Sequence, residues 1–289
     1  MSEQLIRAGY PLTVYNRSKE KEAFLQGMGA ATAPTPRQLM ETTEIIFIMV
    51  SDDAAIREIF HGKGGLLTAD AEASTEQPTA AIPSPKGPHT VPPGRILINM
   101  STVSPAISRE MAATCRQQGH HYLDAPVSGS VKQAEDGQLV IMVGGEASVL
   151  EKARPVLEKI GRLAIRVGDP GAGNTAKLVI NTLLSVYAQG LAEAVIFAQR
   201  NGITTEDLIT LVNNSALGNV FIKIKGEAII RDNYNAAFAL KHIAKDLRLA
   251  KDIGLNTPLG EVAYQSFQDA EATLGNEDII AIIKQLQPQ

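Results

Sequence analysis

The chain has 289 residues, 44% hydrophobic and 20% charged, an ordinary globular composition with length for about two domains. Its net charge is −4 and its Lys and Arg residues form no runs, which argues against nucleic-acid or anionic-membrane partners and points to small-molecule chemistry. The single cysteine, Cys115, can form no internal disulfide, residues 1 to 10 lack a signal-peptide core, and the run from Leu178 to Ala192 is too polar for a membrane span, so a cytoplasmic protein is expected.

In chain order, SEQLIRAGY reads as the end of a helix closed by Gly9, followed by a strand from Leu12 to Tyr15. Then come a helix from Ser18 to Met28, a strand from Ile45 to Val50, a helix from Asp52 to Phe60, a strand from Ile96 to Met100, a helix from Pro105 to Gln118 and a strand from Tyr122 to Asp124. Strands alternating with helices predict βαβ units in a doubly wound parallel sheet, and the unbroken apolar run Ile45 to Val50 suits a strand covered on both faces. Further strands are expected at Leu139 to Val143 and Leu163 to Val167, with a helix from Ala147 to Ile160 between them. The Pro-rich segment 68 to 95 interrupts this order and reads as a disordered surface insertion. After Val167 only helical patterns recur, which divides the chain into an α/β domain, 1 to 167, and an all-helical domain, 168 to 289.

The boundary carries GDPGAGNTAKLVINTLLSVYAQG, a turn with Gly168, Pro170, Gly171 and Gly173 that opens a long helix, with Asn174 as its cap. Lys177 and Asn181 share one face of it among Leu178, Val179, Ile180, Leu183 and Leu184. Such a lysine is either a stem laid along apolar surface with its charge in water, or a functional ammonium.

In open parallel sheets ligands sit beyond the carboxyl ends of the strands. After Leu12 to Tyr15 come Asn16, Arg17 and Ser18, where an arginine and two hydrogen-bonding side chains suit a 2′-phosphate better than a free ribose hydroxyl; a turn with a cap at Ser18 explains the same residues. Val50 and Ser51 lead into Asp52-Asp53, and Ser101-Thr102-Val103-Ser104-Pro105 follows the next strand; both are good helix starts that place backbone, and Thr102, where a nucleotide would lie. Past Asp124, the turn Ser128-Gly129-Ser130 offers backbone N–H groups as a small anion nest for a carboxylate. In LKHIAKDLRLAKD, Lys241, Lys245 and Arg248 share one helical face, readable as an exposed basic stripe paired with Asp246 and Asp252. No ligand cluster for a metal is present, and none is required.

Taken together, VYNRS (Val14 to Ser18), NMSTVSP (Asn99 to Pro105), DAPVSGS (Asp124 to Ser130), Gly168 to Asn181 and KDLRLA (Lys245 to Ala250) occur in the order seen in the β-hydroxyacid dehydrogenase family, which the chain resembles over nearly its whole length outside the insertion. That family includes 3-hydroxyisobutyrate dehydrogenase, tartronate semialdehyde reductase and the glyoxylate/succinic semialdehyde reductases, and DAPVSGS followed by AEDGQLVI looks most like the last group. The resemblance implies a Rossmann-type domain, an all-helical second domain, and homodimers or homotetramers built mainly from the helical domain. It implies that Lys177 is the catalytic lysine, that Ser128, Gly129 and Asn181 bind a small carboxylate substrate, and that Thr102 and Lys245 contact the cofactor. Arg17 resembles the residue associated with NADP, so NADPH is the expected cofactor, with NAD the other possibility. The family pattern begins with a strand and G-x-G-x-x-G, which this sequence does not show. In the order 3-2-1-4-5-6 that first strand is expected between Leu12 to Tyr15 and Ile96 to Met100, and a chain without it should bind NADPH weakly and aggregate.

Overall fold

The computed structural model describes residues 1–68 and 91–287. The expected insertion 68 to 95 falls mostly on residues 69–90, which lie outside the described residues. The chain divides into two compact units, Met1–Ala176 and Lys177–Gln289, so the division falls inside the long helix rather than ahead of it.

The first unit runs α1 (Ser2–Arg7), β1 (Thr13–Val14), α2 (Ala23–Gly27), β2 (Ala31–Thr32), α3 (Pro36–Thr42), β3 (Ile45–Ile48), α4 (Asp53–His61), β4 (Ile96–Asn99), α5 (Pro105–Gln117), β5 (His121–Asp124), β6 (Val127–Ser128), α6 (Val131–Glu135), β7 (Leu139–Gly144), α7 (Ala147–Leu157) and β8 (Gly161–Gly168). Helix starts follow the sequence signals. Asp52 Oδ1 accepts from Ala55 N (2.8 Å) at α4, and Ser104 Oγ accepts from Ile107 N (3.0 Å) at α5, with Pro105 in its first turn.

The sheet is mixed. β3, β4 and β5 are parallel neighbours, but β7 runs antiparallel to both β5 and β6 and parallel to β8. The expected wholly parallel order therefore ends at β5, where the chain turns back directly through Val127–Ser128 instead of crossing over by a helix. Two apolar layers flank these strands, one around Ile98, Leu123, Ile141 and Leu157, the other around Ile46, Phe60, Leu97 and Met111.

The first 44 residues depart most from expectation. β1 pairs only with β2, in a separate two-stranded sheet. The helix expected from Ser18 to Met28 is a 3-10 turn, Lys19–Lys21, followed by the five-residue α2, and the Ser18 side chain makes no capping bond. No residue of α2 is buried and Phe24 is 64% exposed, so no apolar face holds a longer helix in place. β3 is not covered on both faces: Ile46 and Ile48 are buried, Ile45 and Phe47 only half so, and Met49 is 53% exposed. A cavity of about 710 Å³ explains this, because Tyr10–Asn16 line one side of it and Glu44–Met49 the other. The gap in the sheet thus lies between β1 and β3, not between β1 and β4 as expected, since β4 is paired on both edges.

The long helix, α8, runs from Ala172 to Arg200 and starts two residues before the expected cap. Asn174 does not cap it. Its Oδ1 accepts from Val103 N (3.0 Å) and its Nδ2 donates to Ser108 Oγ (3.0 Å). Among the described residues α8 is the one helix long and apolar enough, by length and a hydropathy of 1.4, to cross a membrane, yet it carries buried Asn174, Asn181, Ser185 and Gln189. Polar side chains enclosed by protein are the mark of a core helix.

In the second unit α8 continues into α9 (Thr205–Asn213), α10 (Val220–Ile230), α11 (Leu240–Asp252), α12 (Pro258–Leu274) and α13 (Ile282–Leu286). They enclose a core that includes Leu191, Val195, Leu240, Leu247, Phe267, Ile280 and Ile283. The helix expected from Glu277 is replaced at its start by a 3-10 turn, Ile279–Ala281, whose cap Asp278 is committed elsewhere: its carboxylate receives buried Lys225 Nζ at 2.7 and 2.9 Å and the N–H of Ala237 at 3.0 Å.

Candidate functional site

The candidate residues fall into two groups, one on each unit. In the first unit they stand at the carboxyl ends of β1, β3, β4 and β5. Past β1, Asn16 Oδ1 accepts from Ser18 N (2.9 Å) in an Asx turn, and Asn16 N donates to Glu22 Oε1 (2.6 Å). Lys19 Nζ also reaches Glu22 (2.9 Å), and these bonds hold its carboxyl below its ordinary value. The turn leaves Arg17 exposed, with no ion pair among the described residues.

The next two strand ends are stitched together. Val50 N donates to Ser101 Oγ (2.8 Å), and Asp53 holds Ser104 through its N–H (2.9 Å) and its hydroxyl (2.5 Å). Ser101 N donates to Asn99 Oδ1 (3.0 Å), whose Nδ2 donates to the Tyr122 hydroxyl (3.0 Å). Thr102 is half-buried between Ser101 and Val103, and Ser51 is exposed beside the Asp52 cap. Two loops that face a nucleotide in such folds are therefore fixed before any ligand arrives.

Past β5, Ser128 pairs with Val140 and Gly129 has φ +141°, where an added Cβ would stand 2.8 Å from Leu139 Cδ2. Only glycine fits. The expected nest is smaller than the sequence suggests, because Ser130 N already donates to Gln133 Oε1 (2.9 Å). Beneath this turn, buried Asp124 accepts from Gly171 N and Asn174 N, each at 2.8 Å, and so grips the first turn of α8. Burial pushes its carboxyl up to about 6 against the opposing pull of these N–H donors. Gly173 allows the close approach, since a Cβ there would lie 2.3 Å from the Asp124 carbonyl.

The second group lies within the second unit. Asn181, 1% exposed on α8, donates through Nδ2 to Asp246 Oδ2, and Asp246 Oδ1 is 3.0 Å from Lys245 Nζ on α11. Lys177, one turn before Asn181, is half-buried beside them. Burial lowers the pKa of its ammonium, Lys245 lowers it further, and Asp246 opposes both. The structure brings Lys177, Asn181 and Lys245 together around a carboxylate that the sequence reading had placed on an exposed stripe. Asp246 is instead 3% exposed and sits in the apolar face of α11 with Ile243, Leu247 and Ala250, a position its three- and four-residue spacing to them could have signalled. The other basic residues of that segment turn outward to Asn276 and Glu271.

The strand ends suit a phosphorylated dinucleotide. They offer a free guanidinium, hydroxyls and backbone N–H groups, and the carboxylate nearest the β1 turn, Glu22, is already engaged.

Residues 1–168 match the profile described as the NAD binding domain of 6-phosphogluconate dehydrogenase, and 171–286 that described as NAD-binding of NADP-dependent 3-hydroxyisobutyrate dehydrogenase. Among curated relatives, glyoxylate/succinic semialdehyde reductase 2 of Arabidopsis thaliana is 32% identical over 99% of this chain and 76% of its own. The 2-hydroxy-3-oxopropionate reductase of Escherichia coli is 29% identical over 99% of this chain and 92% of its own. A solved 3-hydroxyisobutyrate dehydrogenase from Salmonella typhimurium superposes with a TM-score of 0.80 at 26% identity, covering 98% of this chain and 94% of its own. The paired profiles, spanning both units, and the shared strand-end and lysine clusters make this chain a member of the β-hydroxyacid dehydrogenase family, an NAD(P)-dependent dehydrogenase.

Proposed function

We propose that the protein transfers hydride reversibly between NADPH and the carbonyl of a small carboxylate-bearing aldehyde or ketone, with glyoxylate, succinic semialdehyde and tartronate semialdehyde as its substrate class and 3-hydroxyisobutyrate as the next candidate. The observation that carries this reading is the buried Lys177–Asn181–Lys245–Asp246 cluster, which holds an ammonium of lowered pKa beside fixed hydrogen-bonding groups. The dinucleotide supplies the hydride. As the carbonyl is reduced, negative charge grows on its oxygen; Lys177 stabilises it and gives up one proton to form the hydroxyl, then recovers a proton from solvent. Asn181, held by Asp246, presents its remaining amide group to substrate, while Ser128 and Gly129 are assigned to the substrate carboxylate. Arg17 is assigned to the 2′-phosphate, and Asn16, Ser18, Val50, Ser51, Thr102 and Lys245 to the rest of the cofactor. The exposed Val179, Leu183 and Phe197 of α8 support a homodimer or homotetramer, and the lone buried thiol of Cys115 supports a cytoplasmic setting.

Lys177→Ala tests the reading: turnover should fall about 10² to 10⁴-fold while NADPH affinity stays nearly unchanged. Near-normal turnover would remove Lys177 from the chemistry. The ammonium is the acid in reduction, so the rate should fall as pH rises through its folded pKa, which lies below the ordinary 10.5. Asp246→Asn deletes the group that raises that pKa and should shift this alkaline limb to lower pH. A second reading, an impaired scaffold, draws on the split sheet, and equilibrium NADPH binding separates the two because a scaffold need not bind it.

A further inference from the structure

Two strand edges face the cavity between the sheets of the first unit. Leu12 O and Val14 O accept from β2, at Ala31 N and Ala33 N (2.9 Å each), so the alternation of a strand turns the peptide groups of Thr13 to the opposite edge. In β3, Glu44 O and Ile48 O accept from Ile96 N (2.9 Å) and Met100 N (2.8 Å), which turns those of Ile45 and Phe47 away from β4. Both open edges line one cavity of about 710 Å³, floored by Val156 and Ile160 beyond α7's start and bordered by Leu5. Its walls are mostly apolar, with Leu12, Ile45 and Phe47 half-buried toward it.

We propose that this cavity is a strand-acceptor site whose occupant is an extended, mainly apolar polypeptide segment, paired with β1 on one edge and β3 on the other. Inserted there, it would join the two sheets of the unit into one. The chemistry of the walls selects this occupant. Rows of N–H and C=O groups at strand spacing on two facing sides are matched by another backbone, which has donors and acceptors on both edges; a small apolar molecule has neither, and water gains little between apolar side chains. A length of about five or six residues follows from ordinary strand dimensions. The inference is independent of the catalytic assignments.

The test adds a strand to the full chain. The segment TVIVIT is fused ahead of Met1 through a short Gly-Ser linker, and a matched fusion carries proline at alternate positions, which removes the N–H groups from one edge. Amide hydrogen exchange is followed at Thr13, Ile45 and Phe47, with Ile98 as the interior reference. The expected result is at least tenfold slower exchange at the three edge amides in the first fusion, little change at Ile98, and no protection in the proline fusion. Equal exchange in the two fusions would overturn the proposal. So would edge amides in the unfused chain whose protection rises with protein concentration, since a second copy would then be the occupant, or a nonpolar dye such as anilinonaphthalene sulfonate bound equally with and without TVIVIT.

Discussion

β3 and β4 lie side by side in register, read IIFI and ILIN, and have opposite fates. All four residues of β4 are buried, whereas β3 alternates between buried and half-buried. The difference is not in their side chains. β4 has a strand on each edge and helices over both faces, while β3 has a partner on one edge and a cavity on the other. An apolar run reports the covering a strand is suited to, and whether that covering exists depends on residues far away in the chain. The contrast extends to the surrounding regions: around β4 and β5, Asn99, Ser101, Tyr122, Asp124 and Asn174 form a closed set of buried hydrogen bonds, whereas around β1 the elements are two residues long and α2 buries nothing.

The largest expected effect comes from matched truncations on the two strands. Leu97→Ala, at a fully buried site, should cost about 2 to 5 kcal/mol in urea unfolding, through lost transfer energy plus a cavity. Phe47→Ala removes a larger side chain yet should cost less than about 1.5 kcal/mol, because only part of the ring leaves water. Equal losses would show that the open edge is closed in solution. In the chain carrying a fused strand, the Phe47 penalty should rise toward that of Leu97.

Much of this was legible beforehand, and the exceptions share a cause. Helices with their own caps or glycine stops, such as Pro105–Gln117 and Pro258–Leu274, were readable because their signals lie within a few residues. The antiparallel return through Val127–Ser128, the brevity of α2 and the exposure of β3 were not, since each is decided by what packs or fails to pack against the segment. At the site, Lys177 and Asn181 stood out as polar residues four apart in an apolar helix, and their clustering with Lys245 was implied by family resemblance. Asp246 and Asp124 were missed for one reason. A buried carboxylate looks like a surface one until its donors, here Asn181 Nδ2 and the N–H groups of Gly171 and Asn174, are brought to it by the fold.

A second, smaller effect asks whether the weakly packed region still binds specifically. Arg17 is exposed on a turn whose bonds to Asn16, Ser18 and Glu22 are local, so its charge should act without help from the core. Arg17→Ala should weaken NADPH binding by about 1.5 to 3 kcal/mol, the range for hydrogen bonds to a charged group, and leave NADH nearly untouched. Titration calorimetry with both cofactors measures this. Equal losses would mean that the substitution unfolds the β1 turn and that the two regions differ in specificity as well as in packing.

The smallest effect is a difference in how the regions answer to acid. Asp124, in the closed region, has a folded pKa of about 6, raised by burial above its ordinary 3.8. A carboxyl whose folded value is raised binds a proton more readily folded than unfolded, so acidifying from pH 7 to 5 should add about 1 kcal/mol of stability from this group. Glu22, in the open region, has its value lowered by Lys19 and by the Asn16 N–H, so its contribution is present above the ordinary carboxyl value of 4.5 and is lost as pH falls through the folded one. The β1 turn should therefore loosen in acid while the β4–β5 region holds. Amide exchange at Asn16 and at Asn174, compared at pH 6, 5 and 4 after correction for the intrinsic pH dependence, reads the two directly: protection at Asn16 should drop at the lowest pH, and protection at Asn174 should hold or rise. In Asp124→Asn the side chain no longer titrates, so the gain between pH 7 and 5 should vanish. If it persists, another group supplies it, and the closed region does not owe its acid response to the carboxylate that grips α8.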